Sequence, residues 1–210
     1  MIKTVTVLGA GTMGHGIAQV LAQAGMEVVL RDLDEGRVQA ALGKVEGNLA
    51  GALKRGKLEA GEPDAIRARI RGETDLEKAL AGAEVVIEAI PELLELKKKV
   101  LAEVCEVHPD VKVLGSNTSS LPVSELAQGT PFPERVVGLH FFNPVHISKL
   151  VEVVRGERTA PEVLETALAM VNAMGKTPIV VRDAPGFASS RLGLVLGLEA
   201  MRMFEQGVAS

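Results

Sequence analysis

Aromatic side chains are nearly missing from this 210-residue sequence: five Phe, no Trp and no Tyr, 2% in all. Its 47% hydrophobic content is therefore largely aliphatic, and platforms on which nucleic-acid bases could stack are scarce. An excess of positive charge is missing too. The 23 Lys and Arg against 27 Asp and Glu leave a net −4, which argues against binding along a phosphate backbone. The single cysteine, Cys105, excludes an internal disulfide and suits a reducing compartment. It falls beside Leu101 and Val104 on an expected helix face, which reads as a small buried hydrophobe rather than a nucleophile. No uncharged apolar run is long enough to span a membrane, no Cys/His spacing suggests a metal, and there are no repeats or low-complexity tracts. The first expected strand starts at residue 2, which leaves no room for a targeting segment. The expectation is a cytoplasmic protein without nucleic-acid or membrane partners, large enough for one ordinary domain and a little more.

What is present is organised around residues 5–18, VTVLGAGTMGHGIA. A β-branched run ends in Gly9-Ala10-Gly11-Thr12-Met13-Gly14, and a helical pattern then opens with Ile17, Ala18, Val20 and Leu21 on one face. This is G-x-G-x-x-G between a strand and a helix, the context that gives the motif its meaning. Gly9 permits the tight turn, Gly11 lets backbone approach a pyrophosphate, and Gly14 lets the helix pack closely on the strand. The free N–H groups and dipole of the helix N-terminus attract phosphates. Downstream, Val28-Val29-Leu30 reads as a second buried strand ended by Asp32, about 20 residues past the glycines, where a carboxylate accepts hydrogen bonds from an adenosine ribose. Asp32 would repel a 2′-phosphate, so NAD is favoured over NADP, with Arg31 beside it as the one dissenting residue.

The remaining chain alternates strand and helix patterns. A long helix is expected over 35–55, with Gly43, Gly47 and Gly51 on one side where they could allow close packing. The cluster Lys54, Arg55 and Lys57 at its end fits either a solvated terminus or a docking spot for an anionic handle. A short helix over 63–68, a short strand over 70–72, a Thr74/Glu77 capping box and a helix to Leu80 follow. A fourth strand is expected over 83–90, a helix from Pro91-Glu92 carrying Lys97, and a fifth strand over 111–114. That strand closes in Ser116-Asn117-Thr118-Ser119-Ser120, small polar residues at a strand's carboxyl end, where open α/β sheets bind ligands. Residues 136–139 form a strand pattern with His140 at its end, and 150–154 form another with Glu152 amid aliphatics. A carboxylate so placed needs a partner if it is buried. His140 would make an acid–base unit of it, whereas an edge strand would simply turn it to solvent, and spacing alone leaves the two open. An amphipathic helix over 161–175, a strand over 177–181, a Pro185-Gly186 turn and an apolar helix over 191–206 complete the chain.

In these blocks the chain resembles the L-3-hydroxyacyl-CoA dehydrogenases: GAGTMGHGIAQV near the start, SNTSSL at 116–121, HFFNP at 140–144, KLVEVV at 149–154 and PGF at 185–187. The resemblance implies an α/β Rossmann-type domain over 1–184, with a doubly wound, mainly parallel sheet and helices on both faces. Residues 185–210 would then be a linker and the first helix of an incomplete all-helical domain. It implies reversible NAD-dependent oxidation of a (S)-3-hydroxyacyl-CoA thioester, and a homodimer or larger assembly through the helical region. Carried over by motif, His140 is the general base, Glu152 the carboxylate that orients it, and Ser119 the hydroxyl on the reacting oxygen. Asn143 lies between that His and the nicotinamide. Gly9, Gly11, Thr12, Met13, Gly14, Asp32, Glu92, Lys97 and Asn117 lie along the cofactor. Asn48, Lys54 and Arg55 fall where the family grips the CoA nucleotide. One departure stands out: the family pattern reads P-G-F-x-x-Asn-Arg, and Ser190 stands where the Asn would bind substrate. Two alternatives remain at this level, a relative acting on a free hydroxy or sugar acid and a non-catalytic NAD-binding protein. HFFNP and the basic helix end favour the thioester, and the joint presence of Ser119, His140 and Glu152 favours an enzyme.

Overall fold

The computed structural model describes residues 2–209. Short β-branched runs form strands and the amphipathic stretches between them return across the sheet. In chain order these are β1 (Thr4–Leu8), α1 (Gly14–Gln23), β2 (Glu27–Arg31), α2 (Glu35–Lys54), α3 (Glu62–Ala68), β3 (Ile70–Glu73), α4 (Leu76–Leu80), β4 (Val85–Glu88), α5 (Leu94–Val107) and β5 (Val113–Ser116). There follow α6 (Val123–Ala127), a 3-10 turn (Pro133–Arg135), β6 (Val136–Phe141), β7 (Leu150–Arg155), α7 (Pro161–Ala173), β8 (Thr177–Arg182) and α8 (Ser189–Glu205). The sheet order is β3-β2-β1-β4-β5-β6-β7-β8. Every pairing is parallel except β6 with β7. The first six strands thus have the Rossmann order, with the reversal between β1 and β4 opening the crevice in which such sheets bind dinucleotides.

The core is aliphatic on both faces. One side packs Ile17, Leu21, Val38, Leu42, Val45 and Met170 on the sheet; the other packs Leu101, Val104, Leu126 and Cys105. Burial is the first influence on the Cys105 thiol and pushes it up to about 11, which removes it as a nucleophile. Among the described residues no helix is long and apolar enough to cross a membrane, and no three His, Cys, Asp or Glu are grouped to hold a metal.

Several local expectations are corrected. The capping residue of α4 is Asp75, whose carboxylate accepts from Lys78 N–H at 2.9 Å, rather than Thr74. The Thr74 N–H is instead taken up by the Glu73 side chain. β4 is shorter than 83–90, and α5 starts at Leu94, because the segment after β4 turns to line a cleft. Gly43 and Gly47 face open space, and it is Val38, Ala41, Leu42, Val45 and Leu49 that α2 buries. The last helix stands apart from the core: α8 has no buried residue, and Leu194, Leu196, Met201 and Phe204 are each 66–71% exposed.

Candidate active site

The glycine loop has the geometry its spacing implies. Gly9 is left-handed (φ 100°), and a Cβ there would lie 2.6 Å from the Ala89 carbonyl oxygen. A Cβ on Gly14 would lie 1.7 Å from the Gly9 carbonyl oxygen, so the helix can approach the strand only with glycine at that position. Gly11 faces open space, with no atom within 4 Å of its would-be Cβ. Thr12 is exposed and Met13 half-buried at the entrance to α1, whose first turn has no side-chain cap and no acidic residue. Asp32 is tied to this loop: its Oδ2 accepts from Ala10 N–H and its Oδ1 from Leu33 N–H, both at 2.8 Å. Arg31 is turned away, its Nε donating to the Thr74 carbonyl at 3.0 Å. An uncapped helix N-terminus over open glycine backbone, with a carboxylate fixed at the end of β2, fits a dinucleotide with an unmodified ribose.

At the far side of the crevice the antiparallel register of β6 and β7 places His140 directly opposite Glu152. Directly opposed residues project to the same face. His140 Nδ1 meets Glu152 Oε2 at 2.6 Å, and Glu152 is fully buried. β7 lies between β6 and β8, so the alternative of a solvent-facing edge strand is excluded. Burial, the largest influence on the Glu152 carboxyl, would raise it. Hydrogen bonds from Ser189 N–H, His140, the Ser189 hydroxyl and Ala188 N–H outweigh burial and bring it below the ordinary carboxylate value. An ionised partner makes Nδ1 the protonated ring nitrogen of neutral His140, an assignment that follows from the hydrogen bond. Phe142 and Phe187 flank the imidazole, with ring centroids 4.4 and 6.0 Å away.

His140 opens on a cleft of about 320 Å³ that it lines together with Met13, Glu92, Asn117, Ser119, Phe142 and Asn143. Ser119 is anchored by Glu92, whose Oε1 accepts from Thr118 Oγ1 at 2.6 Å, Ser119 N–H at 2.8 Å and, more weakly, Ser119 Oγ at 3.3 Å. Asn117 Oδ1 accepts from Phe141 N–H at 3.0 Å, which locks the end of β5 to the strand bearing His140. Ser190 is near enough to the site for its hydroxyl to donate to the Ser119 carbonyl at 3.3 Å. Lys97 is fully buried. Its ammonium donates to both oxygens of Glu88 at 2.8 and 2.7 Å and lies 3.3 Å from Glu92 Oε2, so it acts on the cleft through the residues that line it rather than by direct contact.

The proposed nucleotide-handle residues sit elsewhere. Lys54 and Arg55 are exposed at the end of α2, while Asn48 Nδ2 donates to the buried Gln19 Oε1 at 3.0 Å and thereby joins α2 to α1. The sequence reading missed the company they keep. Burial, the largest influence, holds the His146 imidazole below its ordinary value, with smaller contributions in the same direction from His15, Arg55, Lys176 and Lys57. It also missed Glu88, Ser189 and Lys176. The buried Lys176 ammonium donates to the carbonyls of Val145 and Ser148, both at 2.6 Å, and fixes the turn that follows Asn143.

Comparison with known proteins identifies the family of the chain. Residues 4–184 match the family described as 3-hydroxyacyl-CoA dehydrogenase, NAD binding domain. The chain is 41% identical over 209 residues to 3-hydroxyadipyl-CoA dehydrogenase of Escherichia coli, covering 100% of this chain and 44% of that protein. It is 41% identical over 208 residues to a probable 3-hydroxybutyryl-CoA dehydrogenase of Bacillus subtilis, covering 99% of this chain and 72% of that one. The crystal structure of (S)-3-hydroxybutyryl-CoA dehydrogenase from Ralstonia eutropha superposes with a TM-score of 0.96 at 37% identity, over 100% of this chain and 74% of the other. The chain therefore spans less than half of the first of these relatives and about three quarters of the other two. It belongs to the 3-hydroxyacyl-CoA dehydrogenase family and carries that family's NAD-binding domain.

Proposed function

We propose that the protein interconverts a (S)-3-hydroxyacyl-CoA and the 3-ketoacyl-CoA with NAD. The observation that carries this is the 2.6 Å contact between His140 Nδ1 and Glu152 Oε2 at the back of a cleft shared with Ser119 and Asn143. Bound NAD supplies the acceptor for the hydride leaving C3. His140 takes the 3-hydroxyl proton on Nε2, the nitrogen left free by Glu152, and Glu152 stabilises the imidazolium that results. Ser119 donates a hydrogen bond to the reacting oxygen; its long bond to Glu92 leaves the hydroxyl able to turn. Asn143 holds the substrate between His140 and the nicotinamide side of the cleft. The glycine loop with Thr12 and Met13 receives the pyrophosphate, Asp32 the ribose, and Glu92 and Asn117 border the nicotinamide, with Lys97 acting from beneath. Asn48, Lys54 and Arg55 receive the nucleotide end of CoA, a role supported by the exposure of the two basic side chains at the end of α2. Residues 185–210 lead into a helical region that covers the acyl group, and copies associate through the apolar surface of α8.

Steady-state oxidation of NADH with acetoacetyl-CoA against free acetoacetate tests the proposal. Turnover of the thioester with little of the free acid is expected; preference for the free acid would reverse the substrate assignment. Asp32→Ala should weaken NAD binding more than NADP binding.

A further inference from the structure

The first turn of α8 reaches back to the acid of the His140–Glu152 pair. Gly186 (φ 72°) and Phe187 (φ 47°) both adopt the left-handed conformation, which is costly for a side chain as large as Phe. This reversal aims the next two N–H groups at one carboxylate: Ala188 N–H and Ser189 N–H donate to Glu152 Oε1 at 3.0 and 2.8 Å. The Ser189 hydroxyl donates to Oε2 at 2.8 Å, the same oxygen that meets His140 Nδ1 at 2.6 Å. A carboxylate offers about four acceptor sites, and here two donors meet each oxygen. α8 has no side-chain cap of its own. Glu152 therefore caps it from β7, and the positive end of the helix supports the carboxylate in return.

We propose that Ser189 is a positioning residue of the acid–base pair, whose hydroxyl holds Glu152 in line with His140 and shares Oε2 with the imidazole, thereby setting the pH range in which His140 acts as a base. The proposal rests on the pairing described under Proposed function. Few other charged groups face the pair. Its neighbour on β8, opposite Glu152, is Ile179; Glu92 stands across the cleft; and the first charged residue of α8, Arg191, is exposed. Asp183 is turned to the first turn of α6, accepting from Val123 N–H and Ser124 N–H.

Removing the hydroxyl leaves Oε2 to His140 alone. The carboxylate then favours the charged imidazole more strongly, and His140 releases its proton at higher pH. Histidine-selective NMR titration of the ligand-free chain reads this directly, with His15, His108 and His146 as internal references. In Ser189→Ala the His140 midpoint should rise by about half a unit to one unit, the size of one ordinary net hydrogen bond. Ser189→Thr, which keeps the hydroxyl, should match the parent, and Ser189→Val, its apolar isostere, should follow Ala, which keeps the comparison usable if the Ala variant folds poorly. A purely structural role would lower the melting temperature of the Ala and Val variants and leave the His140 midpoint where it is, which would overturn the proposal. Glu152→Gln separates the two levels of inference: it should lower the His140 midpoint. If it does so while Ser189→Ala moves nothing, only the role of Ser189 falls. If Glu152→Gln also moves nothing, the pairing itself falls.

Discussion

Two buried acid–base pairs stand at the carboxyl ends of nearby strands, Lys97–Glu88 under the β4–β5 corner and His140–Glu152 between β6 and β7, and they differ in what they leave free. In the first pair both side chains are 0% exposed. The Lys97 ammonium is taken up by Glu88, Glu92 and the Ile90 carbonyl, and Glu88 also accepts from the Ser116 hydroxyl. In the second the His140 side chain keeps 9% of its surface and binds Glu152 through one of two ring nitrogens. Burial, the largest influence on Glu88, pushes its carboxyl up against the pull of Lys97, whereas the donors around Glu152 bring that carboxyl down. A closed pair has nowhere to pass a proton. It can only hold its surroundings, and Lys97 does so by drawing in Glu92, which grips Ser119. An open pair can exchange a proton with whatever enters the cleft.

The comparison breaks most visibly in kinetics. His140→Ala should reduce turnover by about 10²–10⁴-fold, the usual contribution of general-base catalysis, while NADH affinity measured by fluorescence titration stays near the parent's. Comparable loss of both would mean that His140 shapes the cofactor site rather than the chemistry.

Stability should show the opposite order. Lys97→Met leaves Glu88 buried without its counter-charge, at a cost of about 3–5 kcal/mol in denaturant unfolding. Adding Glu88→Leu to the same chain should recover most of that loss, because an apolar pair of similar volume replaces a buried ionic one. His140→Ala, at the cleft wall, should cost less than Lys97→Met.

An exposed pair gives the weakest effect and completes the series. The Lys112 ammonium first, then the Lys3 and Thr4 N–H groups, lower the Glu84 carboxyl from 4.5 to about 2 against the opposing effect of burial. A carboxyl depressed in the folded state stabilises the fold above its unfolded value and loses that contribution as pH falls through its folded one. Glu84→Gln should therefore be less stable than the parent at pH 7 by under about 1 kcal/mol, as expected for a surface pair. The gap should close as pH falls from 4.5 toward about 2.

The parts of the site carried by local chemistry were legible in the sequence. Gly9, Gly11, Gly14 and Asp32 could be read because turn geometry and helix packing act within a few residues, and the alternation of strand and helix patterns pointed to parallel strands, while the Rossmann-type sheet was implied by the family resemblance and its strand order is seen in the structure. Parts that depend on which strand lies beside which were not. Whether Glu152 faced solvent turned on β8 pairing along β7, a contact that the residues of β7 do not announce. Glu88 stands in VVIEAI much as Glu152 stands in LVEVV, and a buried acid in that setting needs a cation; Lys97, nine residues on, is one helical turn into α5. Ser189 left no trace, because its contact depends on Phe187 adopting a left-handed backbone that the sequence gives no reason to expect. The Asp75 cap was missed for a smaller reason: adjacent Thr74 and Asp75 are both good capping residues, and the one whose side chain meets an N–H three residues on, Asp75 with Lys78, took the role.

A double-mutant cycle on NADH oxidation by acetoacetyl-CoA, using His140→Ala, Glu152→Gln and both together, tests the central claim most directly. If the two residues act as one acid–base unit, each single variant loses activity and the double variant loses little more than His140→Ala alone. If the losses in the double variant multiply, the two residues act independently, and the assignment of the β6–β7 pair as the working acid–base unit is wrong.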